Sequence, residues 1–224
     1  QDPDCLKRHD LSSLRHLFLA GEPLDEPTAK WIGDAIGKPI IDNYWQTETG
    51  WPILSLARGI DASQQTKLGS PGIPMLGYDV KLLNEQTGEE LTAPHQKGVL
   101  TIEGPLPPGC MQTVWGDDQR FINTYWKSFG ERLIYNTFDW AIKDEDGYYF
   151  ILGRTDDVIN VAGHRLGTRE IEEAISRHPA VTEVAVVGVA DTLKGQVAKA
   201  FVVTNGVAQL DSDEARHQLE ADIM

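Results

Sequence analysis

GRTDDVINVAGHRLGTREIEEAI, residues 153–175, sets two glycine-bearing polar clusters around a four-residue apolar run. Arg154, Asp156 and Asp157 precede VINV; Gly163, His164 and Arg165 follow it. A helix start comes next, with Thr168 as N-cap and acids in the first turn, where the helix dipole favours them. Ile171, Ala174 and Ile175 repeat at helical spacing and Pro179 closes the helix. His178, beside that proline, reads as a C-cap rather than a ligand. Residues 181–189 and 195–203 are apolar enough for strands, and Asp211 with Glu214 fits a capping box opening a last helix. Helix, strand, strand, helix make a small α+β unit, so the polar clusters flank a domain joint near residues 154–158.

Upstream the character differs. RHLFLAGEP (15–23) is a short strand stopped by Gly-Glu-Pro. DEPTAKWIGDAIG (25–37) has Asp25 as N-cap, Pro27 in the first turn and Gly37 at the end, with Trp31, Ile32, Ala35 and Ile36 expected on one face. PIIDNYW (39–45) is a buried strand running into the loop QTETG. Residues 77–83 and 98–104 are strands separated by the turn-rich NEQTGEE. Residues 133–154 read as a hairpin around KDEDG. No internal repeat is visible. The fold expected is mixed α/β and α+β, divided at 1–155 and 156–224.

The 224 residues carry a formal net charge of −14, which argues against nucleic acid and against an anionic membrane surface. It does not exclude a nucleotide, since one local basic pocket can hold phosphates. Cys5 and Cys110 lack metal-type spacing; reduced thiols in a cytoplasmic protein are preferred over a disulfide. No apolar run is long enough to span a bilayer and no signal peptide is seen. The chain starts without Met and ends inside a helical pattern, as expected of a fragment of a longer protein.

Four loops expected to follow strands, 20–23, 42–50, 137–140 and 153–157, are rich in Gly, Asp, Glu and Thr; ligands of open α/β sheets sit at such strand ends. Asp139 either accepts both hydroxyls of a ribose or caps a turn. Glu48 either holds a divalent cation through oxygen or is a solvated loop acid. Thr47 and Thr49 can donate to phosphate. Arg154 and Arg165 either clamp phosphate or pair with Asp156 and Asp157. Trp45 either closes an apolar pocket or is core. GSPGIP (69–74) is a rigid loop near a ligand or an ordinary turn. No nucleophile elbow, GxxxxGK[ST] or GxGxxG is present. The residues alone support a nucleotide site at a domain joint.

AGEP, DNYWQTETGWPI, GSPGIP, YNTFDW and GRTDDVINVAGHRLGTREIE stand in the order and at the distances of the adenylate-forming acyl-CoA synthetases, which the chain resembles from about residue 11 to 224. The resemblance is greatest to the short-chain branch, propionyl-CoA synthetases first and acetyl-CoA synthetases next. It implies a chain that covers the C-terminal part of a large α/β plus β-barrel adenylation domain and the start of a small mobile α+β domain. It implies an acid–thiol ligase that makes an acyl-adenylate from ATP and a carboxylate, then lets coenzyme A attack it, releasing AMP. Gly21, Glu22, Pro23, Asp42, Asn43 and Tyr44 are then expected to line the adenine side. Gln46 and Thr47 approach the phosphates and Glu48 binds magnesium. Asp139 and Arg154 hold the ribose, and Arg165 meets phosphate in one domain orientation. Asp156 is the hinge. Ala162, Gly163 and His164 line the pantetheine tunnel, and Ala20 and Trp45 shape the acyl pocket. VINV then carries a mobile active-site loop, since a few residues at an element end can absorb the φ/ψ change of closure.

Two departures matter. The usual Tyr-x-Thr-Gly-Asp reads YNTFD, with Phe138 for Gly, as in propionyl-CoA synthetases. Ala20 stands where acetate enzymes commonly have Val, leaving room for a further substrate methyl; a buried methylene is worth roughly 0.8 kcal/mol. Propionate is the substrate expected, with acetate still able to react. The family's phosphate loop is expected before residue 1 and its catalytic lysine beyond Met224, so residues 1–224 alone are expected to be inactive. A non-catalytic nucleotide-binding relative is the competing reading.

Overall fold

The computed structural model describes residues 5–21, 24, 26–129, 132–205 and 212–223. The chain divides into two compact units, Gln1–Ile151 and Leu152–Met224.

In the first unit a short 3-10 helix (Leu6–Arg8) precedes strand β1 (Leu17–Leu19), helix α1 (Glu26–Ile36) and strand β2 (Ile40–Asp42). β1 and β2 pair in parallel, Leu17 opposite Ile40 and Leu19 opposite Asp42. A parallel pair needs a crossover, and α1 supplies it. Gly37 ends α1 at φ 61°, its N–H donating to the Gly33 carbonyl at 2.9 Å. The expected apolar face is rotated: Ala29 is buried and Ile32, Gly33 and Ile36 are half-buried, while Trp31 and Ala35 are exposed. Asp25, expected as the N-cap, lies outside the described residues.

β3 (Leu54–Ser55) and β4 (Ile73–Pro74) form a short antiparallel pair. β5 (Asp79–Leu83), β6 (Gly98–Glu103), helix α2 (Asp118–Tyr125), β7 (Trp126–Phe129), β8 (Arg132–Lys143) and β9 (Tyr149–Arg154) follow. Their sheet runs β5-β6-β8-β7, with β9 also on β8, and is open among the described residues. Val80, Leu82, Leu100, Ile102, Tyr135 and Ala141 pack with Ile53 and Leu54 as its core. α2 was not legible as a helix; Asp117 caps it, accepting the Arg120 N–H at 2.9 Å. Lys67 ties the residue 61–69 loop to the β8–β9 turn, 2.5 Å from Asp144 and 2.7 Å from Asp146.

Residues 137–140, expected as a loop, lie inside β8. Leu100 faces Asp139 while its neighbour Thr101 faces Asn136, so Thr137 and Phe138 are extra residues in a bulge. Phe138 takes φ 63°, the left-handed region that a bulge of this kind ordinarily gives to glycine.

The second unit contains β10 (Val158–Val161), β11 (His164–Gly167), α3 (Thr168–Ser176), β12 (Val181–Asp191), β13 (Gly195–Thr204) and α4 (Asp213–Ile223). The sheet order is β11-β10-β13-β12. Ile159, Ile175 and Val186 are its buried core, with Ile171, Val184, Val202 and Ile223 packed against them. Val161 faces His164, so Ala162 (φ 49°) and Gly163 (φ 87°) form a two-residue hairpin turn, both left-handed as in type I′. The segment after VINV is therefore a paired strand. The N-cap of α3 is Gly167, with Thr168 the first helical residue. Its C-cap is Arg177, and the His178 ring instead accepts the Ala180 N–H through Nδ1 at 3.2 Å. Asp211, expected to cap α4, lies outside the described residues; Ser212 Oγ accepts the Ala215 N–H at 3.1 Å. No helix among the described residues is long and apolar enough to cross a membrane.

Candidate functional site

The β8 bulge turns Asp139 toward the loop that follows β2. Asp139 is buried, and its Oδ2 accepts from the Tyr44 hydroxyl and, at 3.0 Å, from Gln46 Nε2. The same Nε2 donates to the Thr137 carbonyl at 2.6 Å, and the Tyr135 hydroxyl donates to Gln46 Oε1 at 3.3 Å. Gln46 is thus held at both ends of its amide. The bulge is fixed in turn by Thr137 Oγ1, which donates to the Leu100 carbonyl at 2.6 Å and accepts the Asp139 N–H at 3.2 Å. Burial, then the Asp139 charge, pushes the Tyr44 phenol well above its ordinary pKa, so it stays a donor.

The loop 43–50 is shaped by its own bonds. Asn43 Nδ2 donates to the Leu19 and Ile41 carbonyls at 3.0 and 3.2 Å, and its Oδ1 accepts from Ser55 Oγ at 2.5 Å. Asp42 Oδ1 accepts the Asn43 N–H at 2.8 Å. Asn43 therefore braces the ends of β1 and β2. Thr49 is buried and closes the next turn, its Oγ1 accepting the Gln46 N–H at 3.1 Å. That turn leaves Thr47 exposed and Glu48 half-buried.

Glu48 Oε1 accepts from the Tyr125 hydroxyl at 2.8 Å, and the Glu48 carbonyl accepts the Met111 N–H at 2.6 Å. Tyr125 is stacked on Tyr135, centroids 5.6 Å apart and planes 3° apart. Trp45 is 46% exposed, which decides against a core role within the unit. Ala20 and Gly21 are exposed at the end of β1, Gly21 with φ 106°. Glu22 and Pro23 lie outside the described residues. No three acidic, histidine or cysteine side chains converge as a metal cage among the described residues. Magnesium is commonly held by one or two carboxylates plus substrate phosphates, and a single presented Glu48 carboxylate fits that donor set.

In the second unit Arg154 forks onto Asp156, Nε to Oδ1 at 2.9 Å and Nη2 to Oδ2 at 3.1 Å. That hydrogen-bonded guanidinium holds the Asp156 carboxyl below its usual range. Asp157 uses its carbonyl to receive the Thr168 N–H at 3.5 Å. Ala162, Gly163 and His164 are exposed at the β10–β11 turn, and the Ala162 N–H donates to the Lys194 carbonyl at 2.8 Å. The backbone of Arg165 lies in β11; its side chain lies outside the described residues.

The structure thus gathers Tyr44, Gln46 and Asp139 into one network and sets Glu48 on Tyr125. Sequence reasoning missed Tyr125 and Tyr135. The one signal available was Phe138 at a position that favours glycine.

The model of the AMP-binding enzyme family matches residues 1–115, and that of the AMP-binding enzyme C-terminal domain matches residues 170–224. The chain is 64% identical over 219 residues to "Propionate--CoA ligase" of Escherichia coli strain K12, covering 98% of this chain and 34% of the relative. It is 43% identical over 217 residues to "Acetyl-coenzyme A synthetase" of Pyrobaculum aerophilum, covering 95% of this chain and 31% of the relative. Among solved structures, the anthranilate CoA ligase AuaEII in complex with anthranoyl-AMP matches with a TM-score of 0.74 and 30% identity, over 96% of this chain and 39% of that one. The chain therefore spans about a third of the length of the curated relatives it matches. With the first family model alone matching more than half of its residues, the chain belongs to the AMP-binding enzymes.

Proposed function

We propose that the whole protein joins a short-chain carboxylate, propionate in preference to acetate, to coenzyme A at the expense of ATP. The observation that carries the reading is the buried Asp139 carboxylate, aimed by Tyr44 and Gln46, with Glu48 further along the loop that bears those two donors. The 64% identity to a propionate–CoA ligase across 98% of the chain supports the substrate.

In this reading residues 1–155 are the C-terminal portion of the adenylation domain and residues 156–224 the start of the small domain. The ribose is assigned to Asp139, which accepts its hydroxyls, and to Arg154. Gly21, Glu22, Pro23, Asp42, Asn43 and Tyr44 form the adenine side, and Gln46 and Thr47 the phosphate side. Magnesium held by Glu48 supplies charge neutralisation for the phosphates. A carboxylate oxygen of the acid attacks the α-phosphorus, the bond to the β-phosphate oxygen breaks and pyrophosphate leaves. The coenzyme A thiolate then attacks the acyl carbon, the bond to the AMP phosphate oxygen breaks and AMP leaves. Rotation at Asp156 exchanges Arg165 for Ala162, Gly163 and His164 between the two steps. Ala20 and Trp45 bound the acyl pocket.

The test is AMP formation by the full-length enzyme with coenzyme A, comparing kcat/KM for propionate, acetate and butyrate. Propionate is expected to lead acetate by about tenfold or more, within the usual discrimination for one methylene. An acetate preference removes the substrate assignment alone. No turnover with any short acid favours a non-catalytic nucleotide-binding protein.

A further inference from the structure

We infer that Tyr125 and Phe138 are positioning residues for the Glu48 carboxylate, and that Phe138 occupies a glycine-type backbone position in order to serve as the brace. The inference rests on the reading that Glu48 serves the metal-bound phosphates.

A lone carboxylate that meets a cation only together with a substrate has no protein cage to orient it. Its rotation must be set by something else. Here that is the Tyr125 hydroxyl, which donates to Oε1 at 2.8 Å, while Oε2 makes no hydrogen bond to the described residues. The Glu48 backbone is pinned separately by the Met111 N–H at 2.6 Å. The hydroxyl can do this only if its ring is fixed. Three aromatic neighbours fix it: Tyr135 parallel at 5.6 Å, Phe121 tilted at 5.8 Å and Phe138 edge-on at 6.1 Å and 73°. Aromatic pairs favour offset-stacked and edge-on arrangements of this kind.

Phe138 is the member that costs most to place. It sits in the bulge at φ 63°, strained for any residue with a Cβ, and the Asn136 side-chain carbonyl accepts its N–H at 2.9 Å to hold it there. Glycine would relieve the strain and forfeit the ring. A bulky side chain at this strained position is explained if the ring is needed, and Tyr125 is among the rings it meets. The bulge then acts twice: it aims Asp139 at Tyr44 and Gln46, and it braces the tyrosine that holds Glu48.

The experiment uses the full-length enzyme and the variants Glu48→Gln, Tyr125→Phe, Phe138→Gly and Phe138→Tyr. The readouts are Mn2+ affinity in the presence of ATP by electron paramagnetic resonance, the Mg2+ concentration for half-maximal rate, and thermal stability. Glu48→Gln is expected to weaken Mn2+ binding most. Tyr125→Phe keeps the stack and is expected to raise the Mg2+ requirement about three- to tenfold, as for one lost hydrogen bond, with KM for the carboxylate unchanged. Phe138→Gly is expected to do the same and Phe138→Tyr to restore the wild-type value. Wild-type metal dependence in Tyr125→Phe and Phe138→Gly, with Glu48→Gln impaired, overturns the positioning role and leaves Glu48 standing. Lowered stability of Phe138→Gly at unchanged Mn2+ affinity shows a merely structural Phe138 and overturns its part. Wild-type metal dependence in Glu48→Gln removes the reading of Glu48 itself.

Discussion

Gln46 Nε2 lies 3.0 Å from Asp139 Oδ2, a contact closed across 93 positions of chain. A neutral amide is well suited there. It supplies two protons, one to the Asp139 carboxylate and one to the Thr137 carbonyl, without adding charge. Gln46→Glu would set a second carboxylate against two acceptors. We expect Gln46→Leu to cost about 1–3 kcal/mol, the usual penalty for removing a buried donor, and Gln46→Glu to cost more at pH 7. The like charge raises the folded-state pKa of the pair, so its stability is present at low pH and lost as pH rises through that raised value. Urea unfolding of Gln46→Glu at pH 5 and pH 7 checks this; a variant no weaker at pH 7 than at pH 5 removes the argument.

Tyr44→Phe tests a second donor to Asp139. A hydroxyl donating to a charged group contributes about 1.5–3 kcal/mol, and the apo enzyme should lose that much. A nucleotide whose ribose hydroxyls donate to Asp139 replaces part of the missing bond. The increase in Tm on adding saturating AMP should therefore be larger in Tyr44→Phe than in wild type. Equal shifts would separate Asp139 from the ribose.

Acid sensitivity follows from Lys67. Burial pushes Asp144 up, but the Lys67 hydrogen bond and the Tyr148 N–H outweigh it, leaving the carboxyl below its ordinary pKa. A depressed folded pKa means stability that is present above the unfolded value, near 3.8, and lost as pH falls through the folded one. Asp156, lowered by Arg154, adds in the same direction. Asp144→Asn should flatten the decline of stability below about pH 4, read by chemical denaturation at pH 3 and pH 6. An unchanged acid limb would assign it to other carboxylates.

Gly72 is required by close approach. At φ 108° an added Cβ would stand 2.8 Å from the Ser55 carbonyl oxygen and 2.8 Å from Leu56 Cδ2. The carbonyl belongs to the β3–β4 pair and cannot yield without breaking it. Gly72→Ala should cost about 3 kcal/mol, combining strain with overpacking. Gly109→Ala, with φ 104° and nothing within 4 Å of the added Cβ, should cost only the backbone term. Equal melting temperatures for the two variants would dismiss the clash.

Regular elements were legible where one local rule dominated. β5 and the β8–β9 hairpin follow from apolar patterning and from KDEDG. The C-terminal helix–strand–strand–helix order follows from helical spacing and apolar runs, whereas the caps expected of α3 proved to be one residue off. α1 was found by its proline and glycine, but its phase was misread because Trp31 counts as apolar while standing 44% exposed. α2 was missed because, among its described residues, only Phe121 is buried. The bulge was hidden because its left-handed residue is Phe138, whose own propensity does not announce a positive φ; the one hint was the glycine that the family pattern has at that place. In the site, Asp139 and Glu48 were legible through resemblance to a family pattern. Tyr125 and Tyr135 were not, since the stack joins residues on α2 and β8 through tertiary packing alone.

The β10–β11 turn offers a case in which stability and activity should move apart. Ala162 and Gly163 are both left-handed, and type I′ turns favour Asn-Gly because asparagine tolerates that region better than alanine. Ala162→Asn keeps the backbone N–H that donates to the Lys194 carbonyl at 2.8 Å, so the turn's tie to the β12–β13 connection survives. The unfolding free energy of the full-length enzyme should rise by about 0.5–1 kcal/mol through relief of left-handed strain. If Ala162 lines the path of the pantetheine arm, the added amide should slow acyl transfer to coenzyme A while leaving acyl-adenylate formation at its wild-type rate. Rapid-quench measurement of the two steps separates them. Gly163→Ala is the control in the other direction: nothing lies within 4 Å of its added Cβ, so its φ of 87° makes it costly to the fold without filling space inside the unit. A variant Ala162→Asn that is more stable and equally fast in both steps would confirm the turn geometry and remove Ala162 from the coenzyme A path.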